Sequence, residues 1–380
     1  MNDMTASGKI RVIHLLTDRN TGGAGRHLFY LLSCLNRDIF DASVVLPEGA
    51  DTKKLFSSAG IRTEEIPGFD RSFAPRCRKE LTALFRKERP DIVHTHSSFT
   101  GRIAAKRAGV PVTVMTKHCS DMPPEYTRDL LGRTLCRAHF RKYLTAAIST
   151  DRSATEALLA CGMPEKMITL IENGVLPLRD HTEAEKKAVR ERLGIPGGSV
   201  VCGCFGRLEP VKAHRDLLAA AALLRRQATN LYYLIVGTGS QEEELKLLAV
   251  RYGVSDRVIF CGFAEDISLF MSICDYNINT STGTETTSLA LTEGMSLGVV
   301  PVAADTGGNR RMVENCGICF PPGDPPALAD VMLSLLRDPE GTAYFSRKAK
   351  EEFAAHRTAE RMARETEKLY LSLLNPVRPG

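Results

Sequence analysis

From about residue 10 to residue 336 the chain alternates short β-branched or apolar runs with stretches of helical periodicity. No other feature constrains its fold as tightly. Strands are expected at Ile10–Thr17, Ala42–Leu46, Asp91–His94, Val112–Thr116 and Tyr143–Ser149. Helical patterns lie between them at Arg26–Leu35, Lys79–Lys87, Thr100–Ala108 and Arg128–Phe140. Apolar runs bounded by helices build parallel sheets from βαβ units. A second alternation follows the turn at Asn173-Gly174, with strands at Val200–Phe205, Tyr232–Val236, Val258–Cys261, Tyr276–Asn279 and Val299–Ala303. Its helices are Ala213–Arg226, Gln241–Val250, Thr287–Leu297 and Pro326–Leu336. Leu176–Pro196 reads as a linker and a short helix, and Thr358–Leu374 as one long helix with Thr358 as its N-cap. The expected division is therefore residues 1–175, residues 176–355, and a C-terminal helix within 356–380 that crosses back to the first domain. Two doubly wound domains offer two rows of strand carboxyl ends, and ligands on such sheets sit outside those ends.

Composition removes several other classes. Hydrophobic residues make up 43% and charged residues 25% of 380, an ordinary soluble balance rather than a disordered one. The longest wholly apolar run, Leu217–Leu224, is far short of the ~20 residues of a membrane span. MNDMTASGKI has no signal-peptide core. Eleven scattered cysteines point to reduced thiols in a cytoplasmic protein. A net charge of +5 is too mild to imply nucleic acid, but it suits phosphorylated substrates or an anionic surface. No Walker A loop, G-x-S-x-G elbow or complete G-x-G-x-x-G is present, which leaves an NAD enzyme as a weak alternative. Cys316-x-x-Cys319 lacks a second pair and reads as structural thiols.

The most informative stretch is Ser281–Asn309. Glu285 and Glu293 stand eight residues apart, a spacing that on one helix advances ~12 Å and rotates ~80°. If the helix opens right after Glu285, the backbone amides of Thr286, Thr287, Ser288 and Leu289 are its unpaired first-turn donors, suited to phosphate. Gly22, Gly23 and Gly25 follow the first strand and allow close approach of a ligand to backbone. His94 and His96 alternate along a strand and share a face; no third ligand is obvious, so no metal site is expected.

At this point the chain resembles the retaining GT-B glycosyltransferases of family 4. The Glu285…Glu293 segment is similar to their E-x7-E region, and CFGRLEPVK (204–212) to their G-R-L-x-x-x-K motif. YLIVGTGSQEEEL (233–245), RVIFCGF (257–263) and ICFPPGDPPALA (318–329) resemble later family segments in the family's order. TGGAGRH (21–27) and VHTHSSFTGRIAAKRAGVPV (93–112) resemble its N-terminal glycine loop and H-x-H segment. The implied fold is α/β GT-B, two doubly wound Rossmann-like domains facing across a cleft. The implied activity is a hexosyltransferase moving a sugar, with retention, from a nucleotide donor (a UDP-sugar) to a glycan or lipid-linked acceptor in cell-surface glycoconjugate synthesis.

The resemblance assigns Arg207, Lys212, Glu285 and His118 to catalysis: the two cations on the donor phosphate, Glu285 on the sugar hydroxyls, His118 at the sugar or acceptor. It assigns Gly22, Gly23, Gly206, Gly237, Phe263, Thr287, Ser288, Leu289 and Glu293 to the donor, with Phe263 on the base and Glu293 on the ribose. Arg26 and His96 fall on the acceptor side. The chain has no D-x-D, so a metal-bridged pyrophosphate is not expected, nor is any cofactor beyond the nucleotide sugar. Three positions depart from the family pattern: Thr286 for Gly, Gly294 for Ala and Arg311 for Glu. A GT-B-shaped epimerase or phosphorylase, or a non-catalytic sugar-nucleotide-binding subunit, are the competing readings. Arg133, Arg137 and Arg141 make a basic stripe beside Leu131, Leu135 and Ala138, and Arg71, Arg76, Arg78 and Lys79 form a second basic cluster. Basic amphipathic helices can rest on anionic lipid, so peripheral attachment to the inner face of the cell membrane is expected.

Overall fold

The computed structural model describes residues 8–20, 22–69, 75–96, 98–283 and 285–375. It divides into two compact units: the residues up to Gly174 together with those from Ala359, and Val175–Thr358.

The first unit carries β1 (Ile10–Leu16), β2 (Phe40–Pro47), β3 (Arg62–Ile66), β4 (Ile92–His96), β5 (Val112–Lys117), β6 (Ala146–Ser149) and β7 (Ile168–Leu170). All pair in parallel in the order β3-β2-β1-β4-β5-β6-β7, so the winding direction reverses between β1 and β4. The second unit carries β8 (Val200–Phe205), β9 (Leu231–Val236), β10 (Val258–Gly262), β11 (Tyr276–Asn279), β12 (Val300–Ala304) and β13 (Ile318–Phe320). Its parallel order β10-β9-β8-β11-β12-β13 reverses between β8 and β11.

Central strands in both sheets are largely buried because helices cover both faces; β4 and β11 carry polar His94, Thr95, His96, Asn277 and Asn279 among their buried positions. In the first unit Leu15, Val45, Phe69, Leu81, Phe85 and Val93 form one buried cluster. In the second, Leu217, Leu224, Tyr233, Ile235, Val302 and Leu328 do the same. Each such side chain contributes about 1.5–3 kcal/mol on burial. The last helix, Ala359–Leu374, packs within the first unit. Its Tyr370 is fully buried, with its hydroxyl 2.5 Å from His94 Nδ1, and Glu367 accepts from the Asn36 amide at 2.7 Å.

Several expected elements are corrected. The helix expected over Arg128–Phe140 is two pieces, Glu125–Arg128 and Leu130–Tyr143, because Asp129 turns extended and caps the second through Gly132 N at 2.6 Å. The strand expected from Tyr143 therefore starts at Ala146. The short helix expected within Leu176–Pro196 is present as Glu183–Arg192, held by a capping box between Thr182 and Glu185. Pro339–His356 is a further helix absent from the sequence reading.

Candidate functional site

The second unit's reversal point gathers the loops that follow β8, β9, β11 and β12. Each loop is tied to its neighbour by hydrogen bonds. Thr282 N donates to Val211 O at 3.0 Å, Thr280 Oγ1 to Lys212 O at 2.8 Å, Leu208 N to Thr238 O at 3.0 Å, and Gly308 N to Glu285 O at 3.0 Å. The β8 and β9 loops touch backbone to backbone. Gly237 has φ +144, and a Cβ there would overlap Gly206 O. A Cβ at Gly206 would meet nothing within 4 Å.

Two of the expected residues meet in this web. Lys212 forms an ion pair with Glu285, and Ser281 Oγ donates to the same Glu285 oxygen at 2.8 Å. Lys212 ends a short turn, Pro210–Lys212, and the next residue, Ala213, sits in the left-handed region at φ 48, ψ 40. For a residue with a Cβ that conformation costs about 1–2 kcal/mol, and such strain collects where backbone must aim a functional group. Arg207 stands exposed five positions earlier on the same loop. Phe263, just past β10, leaves its ring 66% exposed. An apolar ring so placed at a sheet's carboxyl end is suited to stack on a planar base.

The helix after β11 is a correction. It spans Leu289–Leu297, with Ser288 as N-cap accepting from Leu291 N at 3.4 Å, so Glu285 lies in the loop and not on the helix with Glu293. Thr286 and Thr287 precede the helix, and its first-turn amides begin at Leu289. Thr286, Thr287 and Ser288 are buried and Leu289 half-buried. Glu293 is on the helix, 2% exposed. Gly294, a departure from the family pattern, has a local reason: a Cβ there would lie 2.8 Å from Asn277 Nδ2, which itself donates to Ala290 O at 2.7 Å. Arg311 is exposed on the helix Asn309–Val313.

Sequence reasoning missed His214, the first residue of the helix His214–Leu224. Both its ring nitrogens are buried without a partner. Burial, with Lys212 close by, pushes its pKa down to about 4. No motif or spacing in the sequence marks it.

In the first unit Gly22 caps the helix Gly23–Cys34, which carries Arg26 and His27. Neither Gly22 nor Gly23 has a positive φ, so no turn demands glycine there; a Cβ at Gly23 would meet only open space. Gly25 is needed for packing, since its Cβ would approach Thr52 Cγ2 to 3.0 Å. Thr21, Arg71, Ser97 and Thr284 lie outside the described residues.

His96 ends β4 and half-buried His118 follows β5, and the register of the sheet draws three more imidazoles around them. His14 on β1 pairs directly with His94 on β4. His14 Nδ1 lies 3.2 Å from His96 Nε2, and His96 Nδ1 lies 2.8 Å from His118 Nε2. His27 meets the His118 ring edge-on at 4.7 Å, and its Nδ1 lies 2.9 Å from Asn173 Oδ1. Further ligand-type partners for the His94/His96 pair are therefore present, supplied by elements outside the H-x-H motif. Burial pushes His14 down to about 3 and His27 to about 4, and holds His94, His96 and His118 well below the ordinary imidazole range. The five rings are neutral at pH 7.

The basic helix Leu130–Tyr143 exposes Arg133, Arg137 and Arg141. Leu131 and Leu135 beside them are exposed as well, and Leu130 is 87% exposed. Among the described residues no helix is long and apolar enough to cross a membrane.

Comparisons with known proteins bear on both units. Residues 21–177 match the family model described as Glycosyltransferase Family 4, and residues 185–352 match Glycosyl transferases group 1. A 2-deoxystreptamine glucosyltransferase of Streptomyces kanamyceticus is 28% identical over 325 residues, spanning 78% of this chain and 82% of that one. The UDP-Gal:alpha-D-GlcNAc-diphosphoundecaprenol alpha-1,3-galactosyltransferase of Escherichia coli is 26% identical over 321 residues, 81% and 82% of the two chains. The crystal structure of Anabaena HepE in complex with UDP-glucose superposes with a TM-score of 0.83 at 23% identity, over 96% of this chain and 100% of that one.

Proposed function

The chain belongs to the family 4, group 1 glycosyltransferases. From that premise we propose a retaining hexosyl transfer from a UDP-sugar to a glycan or lipid-linked acceptor, with no divalent ion on the pyrophosphate. That the chain is a GT-B glycosyltransferase using a nucleotide-sugar donor follows from its family and fold. The finer reading rests on one observation above all: the Lys212–Glu285 pair at the second unit's reversal point, with Arg207 on the same loop.

In this reading the leaving group is a nucleoside diphosphate, and negative charge grows on its β-phosphate as the anomeric bond breaks. Two fixed cations aimed at that charge stabilise the transition state more than the ground state. Lys212 and Glu285 now neutralise each other. A bound donor offers each a better partner, phosphate oxygen for the ammonium and sugar hydroxyls for the carboxylate. Gly206 leaves room for the diphosphate beside the β8 loop, Gly237 lets the β9 loop pack against it, and the helix amides from Leu289 add partial positive charge. Phe263 stacks on the base, and Glu293 accepts from the ribose. The acceptor hydroxyl attacks the face that the leaving group vacates, and the departing phosphate takes its proton. The C–O bond to phosphate breaks as the C–O bond to acceptor forms, which balances charge without a protein nucleophile. Gly22 and Gly23 serve the donor, Arg26 and His96 belong to the acceptor side, and His118 acts at the sugar or the acceptor.

UDP is supported by relatives: the Escherichia coli enzyme is named for UDP-Gal and the Anabaena protein was crystallised with UDP-glucose. The lipid-linked acceptor is supported by the first of these names and by the exposed leucines beside the basic stripe of Leu130–Tyr143. Flotation with anionic and with neutral liposomes tests the membrane contact; equal recovery from both would remove it. The transfer reading is tested by measuring slow UDP-sugar hydrolysis, which Arg207→Ala should abolish. Hydrolysis unaffected by that change would overturn the assignment. Retention is tested by following the anomeric proton of the product by NMR, where an inverted product would contradict it.

A further inference from the structure

The imidazole cluster of the first unit goes beyond this reading, and its hydrogen-bond accounting separates the five rings. His94 is saturated: Nδ1 lies 2.5 Å from the Tyr370 hydroxyl and Nε2 lies 2.7 Å from Thr116 Oγ1. It therefore has no lone pair to offer, which sets aside the triplet His14, His94 and His96. The second triplet differs. His27, His96 and His118 each present a ring nitrogen, and these atoms lie within 4.8 Å of one another. Asn173 Oδ1 accepts from His27 Nδ1–H at 2.9 Å, so the lone pair of His27 is at Nε2. His96 can donate Nε2–H to His14 Nδ1 at 3.2 Å, which leaves its Nδ1 lone pair facing His118 Nε2 at 2.8 Å. His14 Nε2, fully buried, then has no partner, the residual mismatch in a cluster whose tautomers serve the other end.

We infer that His27 Nε2, His96 Nδ1 and His118 Nε2 form a three-histidine site for a divalent transition-metal ion of the zinc or cobalt class. Three neutral imidazoles with no carboxylate select such ions over magnesium or calcium. Metal–nitrogen bonds of ~2.0–2.1 Å in a tetrahedral site put ligand nitrogens ~3.3 Å apart, so the 2.8 Å contact between His96 and His118 opens by about half an ångström on binding. The outer partners of a ligating histidine are in place: an amide oxygen behind His27 and an imidazole nitrogen behind His96. His27 and His96 are buried, whereas His118 is half-buried, which leaves the fourth coordination position on the side of His118. The ligands come from the helix Gly23–Cys34, the end of β4 and the residue after β5, so one ion ties the first unit's reversal point together.

The test is Co2+ titration of the full chain after chelator treatment, read by absorption. Eleven free cysteines make the spectrum decisive, because thiolate ligation adds charge-transfer bands that imidazole ligation lacks. One equivalent should bind with ligand-field bands of a four-coordinate nitrogen site and no thiolate bands. His118→Ala, at a half-buried position, should abolish it. Asn173→Ala should weaken it about 10–100-fold. His356→Ala, an exposed position in the second unit, should leave it unchanged. Absence of stoichiometric binding, thiolate bands, or a His118→Ala variant that binds like the parent would each overturn the site and leave a hydrogen-bonded histidine cluster. UDP binding by the second unit is measured separately, so this failure is distinguishable from failure of the transferase reading.

Discussion

Replacing Lys212 by methionine separates its chemistry from its packing. The lysine and Glu285 side chains retain 27% and 14% of their exposure, so the pair is mostly but not wholly withdrawn from water. Breaking a fully buried pair costs about 3–5 kcal/mol, and an exposed pair is worth under about 1. Ser281 Oγ, 2.8 Å from Glu285, still serves the stranded carboxylate, which sets the expected cost near 1–2 kcal/mol. For a unit of this size that is a fall in Tm of ~2–8 °C. Loss of one charge from the developing phosphate should cost ~10²–10³ in turnover, about 2.7–4 kcal/mol. The two effects come apart in Lys212→Met/Glu285→Gln, where no charge is stranded. Its Tm should return to within about 1 kcal/mol of the parent while turnover stays lost. Differential scanning fluorimetry and chromatographic assay of UDP-sugar hydrolysis read both quantities. If the double variant regains activity along with its melting temperature, or Lys212→Met keeps most of its turnover, the lysine is only a counter-ion for Glu285 and the argument fails.

Phe263→Ala should weaken UDP binding by about 0.5–1.5 kcal/mol with no change in Tm, since the ring is largely exposed; calorimetry decides, and a destabilised protein would mean the ring packs on protein instead. Ala213→Gly should stabilise the protein by about 0.5–1 kcal/mol in urea melts, the left-handed strain relieved exceeding the extra freedom of the unfolded glycine; a loss of stability would refute the strain at that residue. Glu185, bonded to the Thr182 backbone and hydroxyl, has its pKa lowered to about 2. A depressed carboxylate stabilises above its unfolded pKa of ~4.3 and loses that support as pH falls toward 2, so Glu185→Gln should narrow the gap in Tm between pH 6 and pH 3. An unchanged gap would show that the capping box contributes nothing there.

The central strands were legible because short apolar or β-branched runs alternate with helical patterns; β8 and β11 begin and end where that alternation places them. β3 was not, because RTEEI is an edge strand with polar, exposed positions that reads as loop. The helix after β11 starts later than read, since Thr286 and Thr287 favour extended backbone and Ser288 competes as a cap. Lys212 and Glu285, which form an ion pair, could be named in advance because the family resemblance marks both, and a reversal of winding locates a ligand crevice at the strand ends. The histidine cluster could not. It depends on the register that sets His14 beside His94, and on His27 and His118 arriving from separate elements. His214 carries no signal at all until its burial is seen.

The central claim is that fixed side-chain cations and backbone amides hold the diphosphate without a divalent ion. Isothermal calorimetry of UDP binding in excess chelator, repeated with added Mg2+ and with Arg207→Ala, tests it directly. The account predicts saturable binding in chelator, an affinity that Mg2+ does not raise, and a loss of about tenfold or more, 1.4 kcal/mol, in the arginine variant. Binding that appears only when Mg2+ is supplied, or that is indifferent to Arg207, would contradict it.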